Sequence, residues 1–437
     1  MAAHGHIGQT VSAGSPGVGR RLYEFLMAGS VAYANWDYQV SMDIIRNRRR
    51  LLLLLVMLAP ILFVAVAEAA GMPMLGGKSA YAPSFYSTGI FLVSIAIGLA
   101  AGLITGTIGA GGGFIITPAL MAVGVKGIMA VGTDVFHIFA KAIMGTAVHR
   151  RLGNVSARLA MAFLIGSSVG TFIGGGVNRV LYDADPLLSE LFISLVYAVL
   201  LGFLGYYSVA DHLRERRSRV RDQSEVCVPV CEKGRATWLQ SIHLPPMIHF
   251  DEDGNGNGGR RISGVFVALG GLVVGVLASI LGVGGGFITF PMFVFVFGVS
   301  GATTVGTDIL QIVFTAGIAA ITQYAINGYV FYTLAMGMLV GSLIGIQVGA
   351  FTTKVVDCHQ IRGFYAITIV AGFINRAVTL PRKLVELEYL DLPMSLVVGI
   401  EFLGNVLFWI VIGIFAIWVF AQFVSGARNS LKDSRPC

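Results

Sequence analysis

A group of ionisable residues with helical spacing lies inside an otherwise apolar part of the chain. Asp134, His137 and Lys141 follow one another at intervals of three and four residues, which places them close to one face of a helix. Ionisable side chains are costly in such surroundings and usually serve a function there. Lys141 could attract an anion or pair with Asp134. His137 could carry a proton, because an unperturbed imidazole has a pKa of about 6.5.

A second polar stripe in the carboxy-terminal half matches the first. The tetrapeptide Val-Gly-Thr-Asp opens both stripes, at residues 131–134 and at residues 305–308. A glutamine then stands where the first stripe has its histidine, and a threonine stands where it has its lysine. The polar residues that we predict to bind substrate on these two helices are Thr133, Asp134, His137, Lys141, Thr307, Asp308 and Gln311.

The two aspartates have a second interpretation, because aspartate is a preferred residue at the amino end of a helix. If the helices begin at Gly132 and Gly306, Asp134 and Asp308 could cap them, with the preceding threonines sharing that role. Capping and substrate binding are compatible, so both interpretations stay open.

A glycine cluster precedes each polar stripe. The pattern Gly-Gly-Gly-Phe-Ile followed by proline occurs at residues 111–118 and again at residues 284–291. Glycine lets the backbone turn sharply and exposes peptide N–H groups, and the amino ends of helices bind anions. The alternative is that glycines only allow close helix packing, and we favour it for the isolated glycines at positions 166, 170 and 174. The further predicted substrate-binding residues are Gly111, Gly112, Gly113, Phe114, Gly284, Gly285, Gly286 and Phe287.

These matches belong to one internal repeat, whose offset stays between 173 and 175 residues. The basic residues beside the apolar segments change position between the halves. Arg150 and Arg151 have no charged counterpart in the second half, whereas Lys354 and Arg362 correspond to the acidic loop at 182–185. Because cytoplasmic loops are rich in Lys and Arg, this bias predicts two repeats of inverted topology.

The composition indicates a membrane protein. Hydrophobic residues make up 55% of the chain, charged residues make up 12%, and the mean hydropathy is +0.78, whereas soluble domains carry about 25% charged residues. The net charge of +7 comes from basic residues beside apolar segments, which indicates cytoplasmic loops and not nucleic-acid binding. We therefore predict an all-α polytopic membrane protein with two inverted repeats, each containing a Gly-rich broken or re-entrant helical hairpin. Full spans in place of the hairpins are the alternative.

The polar and apolar stretches divide the chain into six parts, with both termini on the cytoplasmic side of the inner membrane. The parts are a cytoplasmic segment that could form an amphipathic helix (1–50), an extra transmembrane helix with an external loop (51–85), the first transport repeat (86–211), a cytoplasmic linker loop (212–261), the second transport repeat (262–390), and a transmembrane helix with a cytoplasmic tail (391–437).

The linker contains a pair of cysteines that could bind a metal ion. Cys227 and Cys231 form a CxxxC pattern, and His243 and His249 follow. We favour an unstructured loop with reduced thiols, and we predict neither a metal site nor a cofactor.

The duplicated motifs resemble those of the TauE/SafE family of anion permeases, often described as sulfite exporters. The motifs are Gly-Thr-Ile-Gly-Ala-Gly-Gly-Gly-Phe-Ile-Ile-Thr-Pro at 106–118, Leu-Gly-Val-Gly-Gly-Gly-Phe-Ile-Thr-Phe-Pro at 281–291, and the two Val-Gly-Thr-Asp tetrapeptides. The resemblance covers about residues 88–211 and 262–386. It implies transport of sulfite, sulfonates or related oxyanions, linked to protons.

The chain departs from the family pattern at the two aspartates, where the family more often has serine. A carboxylate near an anion needs protonation or a cationic partner such as Lys141, so the identity of the anion stays open. The resemblance places no counterpart for the amino-terminal 85 residues, for the linker or for the chain beyond residue 390.

The function that we predict is secondary transport of a small oxyanion, which is sulfite, an organosulfonate or a related sulfur anion, across the inner membrane with proton coupling. The predicted partners are this anion, protons and the lipid bilayer, and the sequence leaves a homo-oligomer open. The alternatives are a passive anion channel and a membrane scaffold or accessory protein without transport. An enzyme is disfavoured because the sequence has no HExxH metal motif, and an ATP-driven pump because it has no P-loop.

Overall fold

The computed structural model describes eight stretches of the chain, namely residues 88–108, 113–149, 156–219, 244–250, 260–299, 301–352, 356 and 358–433. The predicted amino-terminal segment and first transmembrane helix lie outside the described residues, as do Cys227 and Cys231.

The described residues form eleven α-helices and one β-hairpin. In chain order these are α1 (Thr88–Ile108), α2 (Gly113–Ala122), α3 (Gly127–His149), α4 (Ala157–Ala184), α5 (Pro186–Arg219), β1 (Met247–Phe250), β2 (Arg260–Ser263), α6 (Gly264–Leu281), α7 (Gly286–Pro291), α8 (Gly301–Ile318), α9 (Tyr332–Thr352), α10 (Cys358–Glu386) and α11 (Met394–Asp433). Two π-helical segments continue helices of the second half, Met292–Val296 after α7 and Ala319–Ala325 after α8.

Eight of the described helical segments are long and apolar enough to cross a membrane. The chain is therefore a multi-pass α-helical membrane protein, as its composition predicts. Helix α2 is different, because its 10 residues extend only about 15 Å, half of the roughly 30 Å hydrocarbon core.

The first helix of each half packs against the fourth helix of the other half. A Cβ atom added to Gly98 of α1 would lie 2.2 Å from the Met338 carbonyl oxygen of α9, and one added to Gly349 would lie 2.5 Å from that of Leu103. Residue numbers rise together along both helices, so α1 and α9 run parallel.

Helices α4 and α6 form the matching parallel pair. Added Cβ atoms on Gly166, Gly170 and Gly174 would lie between 1.7 and 2.4 Å from backbone carbonyl oxygens of α6. Only glycine permits this approach, which confirms the prediction that these three glycines allow close helix packing.

Helices α3 and α8 lie against each other between these pairs. Helix α3 also contacts α9, and α8 also contacts α4. The residues of α3 from Ile128 to Val135 are all buried. The polar side chains among them, those of Thr133 and Asp134, therefore face protein and not lipid.

The carboxy-terminal part of the linker forms a β-hairpin that leads directly into α6. Its strands are antiparallel, and Ile248 pairs with Ile262. Both isoleucines are buried in one apolar cluster with Phe163 of α4 and Phe293. Helix α5 also continues to Arg219, so the interpretation of the linker as an unstructured loop is wrong for these parts of it.

Two ion pairs attach α5 and α11 to α10. Lys383 Nζ lies 2.6 Å from Glu190 Oε2 of α5, and Arg382 Nη1 lies 2.9 Å from Glu401 Oε2 of α11. These contacts connect the last helix of the second half to both the first half and the carboxy-terminal helix.

Candidate functional site

The second glycine cluster interrupts the helix, as the sequence predicts. Helix α6 ends at Leu281 and α7 begins at Gly286. Between them Gly282, Gly284 and Gly285 have φ angles of +80°, +67° and +93°, a region that other residues rarely adopt. In the first half, Gly111 and Gly112 lie outside the described residues, whereas Gly113 begins α2.

The interrupted backbone is satisfied by side chains from three other elements. A broken helix inside a membrane protein needs partners for its last carbonyl groups. Asn178 Nδ2 donates to the Ile280 carbonyl at 3.0 Å. The hydroxyls of Tyr324 and Tyr197 donate to the carbonyls of Ser279 and Leu281, respectively. Sequence analysis missed these three donors. The only signal in the sequence was a polar side chain inside an apolar segment.

The two glycine clusters meet each other. A Cβ atom added to Gly113 would lie 3.1 Å from both Cα and the carbonyl oxygen of Val283, and 2.8 Å from Ile138 Cδ1. A Cβ atom added to Gly286 would lie 3.0 Å from Ile312 Cδ1 and 3.1 Å from Asp308 Oδ2. The matching isoleucines of α3 and α8 therefore support the amino ends of α2 and α7 in the same way.

Phe114 follows Gly113 into α2 and is fully buried, with its ring edge-to-face against Tyr365 at 5.9 Å between centroids. The backbone of Phe287 lies in α7. These contacts belong to the packing of the helices, and a contact of Phe114 or Phe287 with substrate remains a prediction.

The two aspartates do not cap their own helices. Helices α3 and α8 begin at Gly127 and Gly301, so Asp134 and Asp308 lie in the second or third turn. The interpretation of helices starting at Gly132 and Gly306 is wrong, because the residues that precede both glycines are already helical.

The neighbouring threonines instead satisfy peptide groups of the opposite half. Thr133 Oγ1 accepts a hydrogen bond of 2.9 Å from the N–H group of Phe331, which immediately precedes α9. Thr307 Oγ1 accepts one of 3.1 Å from the N–H group of Ser156, which immediately precedes α4. Each threonine thus caps the fourth helix of the other half, and its contact with substrate stays a prediction.

Asp134 and His137 form a buried pair whose side chains are both fully enclosed. Asp134 Oδ2 accepts a hydrogen bond of 3.0 Å from the Thr117 hydroxyl of α2. His137 Nε2 lies 2.9 Å from the Ser342 hydroxyl of α9. The remaining atoms of the pair, Asp134 Oδ1 and His137 Nδ1, lie 3.8 Å apart, and neither has a hydrogen-bond partner among the described residues.

Lys141 lies one turn further along α3. Its ammonium group donates a hydrogen bond of 3.1 Å to the Thr105 hydroxyl in the last turn of α1. No carboxylate of the described part of the chain lies within ion-pairing distance of Lys141, and the alternative of a direct pair with Asp134 is therefore not observed. The ammonium group is available to an anion.

The second half carries a different polar chain at the equivalent positions. Gln311 Nε2 donates to Asp308 Oδ1 at 2.8 Å, and Thr315 Oγ1 donates to Gln311 Oε1 at 2.9 Å. The Thr315 hydroxyl also lies 2.8 Å from that of Ser167 on α4. This group of polar side chains contains no cation, so the matching sequence positions of the two halves differ in charge.

A buried arginine was missed by sequence analysis. Arg376 of α10 is 2% exposed, and its guanidinium donates to Asn375 Oδ1 and to the Pro118 carbonyl oxygen at 3.3 Å, near the carboxyl end of α2. A cation at this end of a helix is favoured by the helix dipole. The available signal was an arginine inside a predicted apolar segment.

Eight long apolar helices in the described residues, enclosing ionisable side chains, define a multi-pass membrane protein of the kind that moves solutes. The family model described as "Sulfite exporter TauE/SafE" matches residues 94–376, so the chain belongs to that family. It is a membrane transporter, and the family is not a class of enzymes.

Curated relatives carry only general names. A "Probable membrane transporter protein" of Xylella fastidiosa (strain 9a5c) is 24% identical over 284 residues, which cover 64% of this chain and 92% of the relative. The "Probable membrane transporter protein YunE" of Bacillus subtilis (strain 168) is 25% identical over 270 residues, 60% of this chain and 87% of the relative. No solved structure is significantly similar to the chain.

Proposed function

We propose that the protein is a secondary transporter that moves sulfite, an organosulfonate or a related sulfur oxyanion across the inner membrane together with protons. The observation that carries this proposal is the partly buried Lys141 ammonium group, which has a hydroxyl partner but no carboxylate partner among the described residues. A cation withdrawn from water without a counter-ion is costly, and an anionic substrate supplies the missing charge. The family description supports a sulfur oxyanion.

The substrate site in this proposal lies where the two glycine clusters meet. Helix α2 presents its amino end there, beside α3 and its polar residues. Free N–H groups at a helix amino end would add to the charge of Lys141. Glycines near the substrate would let the backbone approach it closely.

The inverted arrangement is part of the proposal, and the helix pairs support it. Helix α1 runs parallel to α9, and α6 runs parallel to α4. If the first and fourth helices of each repeat are antiparallel, this pairing requires the two repeats to point in opposite directions across the membrane. Helix α2 is too short to cross on its own, which supports a re-entrant hairpin. We also propose that both chain termini lie in the cytoplasm, because basic residues are concentrated beside the apolar segments on that side.

Sulfite flux into proteoliposomes tests the proposed function. We expect folded wild type to exchange and, with a proton gradient, to accumulate sulfite. Lys141→Gln should lower the rate roughly tenfold or more, because a hydrogen bond to a charged group contributes about 1.5–3 kcal/mol. Lys126→Gln is the matched control, since Lys126 lies in the loop between α2 and α3.

The outcomes separate the competing functions. Exchange without accumulation would indicate a passive channel. Absence of sulfite and sulfonate flux in folded wild type, with empty liposomes as the baseline, would contradict transport of sulfur oxyanions and favour a scaffold. Equal flux in Lys141→Gln and wild type would exclude Lys141 from the site.

A further inference from the structure

The Asp134–His137 pair is incomplete as it stands. Asp134 Oδ1 and His137 Nδ1 face each other at 3.8 Å, and both are buried without a hydrogen-bond partner among the described residues. Buried polar atoms are nearly always hydrogen-bonded, because an unsatisfied atom costs free energy. The other oxygen of Asp134 and the other nitrogen of His137 have partners, so the deficit lies between these two atoms.

The hydrogen bonds of Ser342 favour one tautomer of His137. The Ser342 hydroxyl has an acceptor in the Leu339 carbonyl oxygen at 3.3 Å, and with its hydrogen placed there its oxygen accepts the 2.9 Å bond from His137 Nε2–H. A neutral imidazole has a single N–H group, and Nδ1 therefore presents a lone pair to Asp134 Oδ1. If the carboxyl is ionised, two acceptors face each other. One proton between them completes the pair, whichever atom carries it.

The equivalent pair in the second half needs no proton. The Gln311 amide donates to Asp308 Oδ1 at 2.8 Å, and its carbonyl accepts from Thr315 Oγ1 at 2.9 Å. An amide carries its donor and its acceptor permanently. The need for a shared proton thus depends on one residue, which is His137 in the first half and Gln311 in the second.

The charged and titratable groups around the pair set the sign of the coupling. Lys141 interacts electrostatically with the pair from α3 itself, and Tyr197 of α5 lies within electrostatic range of Asp134, Tyr324 and Arg376. Helices α2 and α9 contribute the hydroxyls of Thr117 and Ser342, and Asp308 of α8 is bonded within its own half. The positive charge of Lys141 opposes proton binding, and an anion bound to Lys141 would offset it.

We propose that Asp134 and His137 share one exchangeable proton, and that anion binding at Lys141 and proton binding at this pair strengthen each other. This inference rests on the proposed transport function and specifies its coupling site. Such a linkage is reciprocal, and a factor of about ten in affinity is typical. The proton site then belongs to the first half alone.

Proton uptake on anion binding tests this inference directly. Purified protein in weakly buffered detergent solution is titrated with methanesulfonate, which stays ionised throughout, while a pH dye reports protons across the neutral range. Because a tenfold linkage shifts proton affinity by one pKa unit, we expect wild type to take up at most about half a proton per bound anion, at the pH of maximal uptake. Asp134→Asn and His137→Gln should take up none. Asp391→Asn, which removes an exposed carboxylate in the loop between α10 and α11, should leave the ratio of protons to anions unchanged.

Two results would overturn the inference: no uptake by wild type at any pH, or uptake by His137→Gln equal to that of wild type. Glutamine is the residue that the second half already carries at this position, which favours folding of His137→Gln. Size-exclusion profiles and thermal unfolding check the fold of each variant.

Flux in proteoliposomes separates this inference from the proposed function. His137→Gln should retain sulfite exchange but lose accumulation driven by a proton gradient. If wild type shows neither exchange nor accumulation, the proposed function itself fails. If wild type accumulates sulfite and His137→Gln does so equally, only the assignment of the proton site fails.

Discussion

At the scale of single residues, equivalent threonines of the two halves make equivalent hydrogen bonds, whereas the charge at the position of Lys141 differs between the halves. Thr133 and Thr307 each accept a hydrogen bond from the peptide group that precedes the fourth helix of the opposite half. Lys141 has no charged counterpart, because Thr315 occupies its position in the second half. The cation of the proposed anion site therefore comes from the first half alone.

Replacement of Thr133 by valine should destabilise the protein. Valine keeps the shape of threonine but leaves the Phe331 N–H group buried without an acceptor, at a cost of about 1–3 kcal/mol. Thr133→Ser retains the hydroxyl and should lose less. Unfolding in detergent, followed by circular dichroism, measures both variants, and equal stability of Thr133→Val and wild type would contradict the role of this bond.

At the scale of helices, glycines set the distance between the two helices of each parallel pair, α1 with α9 and α4 with α6. Gly170 of α4 lies against the Leu272 backbone of α6, and Gly102 of α1 lies against the Ser342 backbone of α9. Inside a bilayer, such close approach lets van der Waals contacts hold helices together. The two pairs tie each half to the other, so their packing determines how the glycine clusters meet.

Two glycines of the same helix provide a matched test of this packing. A Cβ atom at Gly170 would lie 2.2 Å from the Leu272 carbonyl oxygen, whereas one at Gly176 would have no atom within 4 Å. Gly170→Ala should lower the free energy of unfolding by about 1–3 kcal/mol. Gly176→Ala should leave it unchanged or raise it slightly, since alanine favours helix by about 1 kcal/mol. Equal effects of both substitutions in thermal unfolding would contradict the packing argument.

At the scale of the whole molecule, the internal repeat is the feature that the sequence predicts best. The glycine clusters, the break between α6 and α7 and the close helix packing all follow from matched motifs. The partners of each helix do not, because nothing local in Gly166 specifies Ala268. The β-hairpin is unpredictable for the same reason, since Ile248 and Ile262 are buried only through their contacts with other elements.

The candidate site shows the same division between local and tertiary information. Spacing alone groups Asp134, His137 and Lys141 on one helix face. It does not provide Thr117, Ser342 or the other side chains that bond them, because these come from helices distant in the sequence. The incomplete proton pair is consequently visible only in the fold.

The central claim is that two oppositely oriented repeats bring their glycine clusters together around one anion site. Accessibility of single cysteines tests it most directly, in a variant that lacks the four native cysteines. Ala184→Cys and Gln360→Cys lie at exposed positions beside the equivalent connections after the fourth helix of each repeat, Ala184 at the end of α4 and Gln360 in the first turn of α10. An impermeant maleimide should label Cys at position 184 in intact spheroplasts, and Cys at position 360 only after the membrane is permeabilised. Labelling of both positions from the same side would contradict the inverted arrangement and the single shared site.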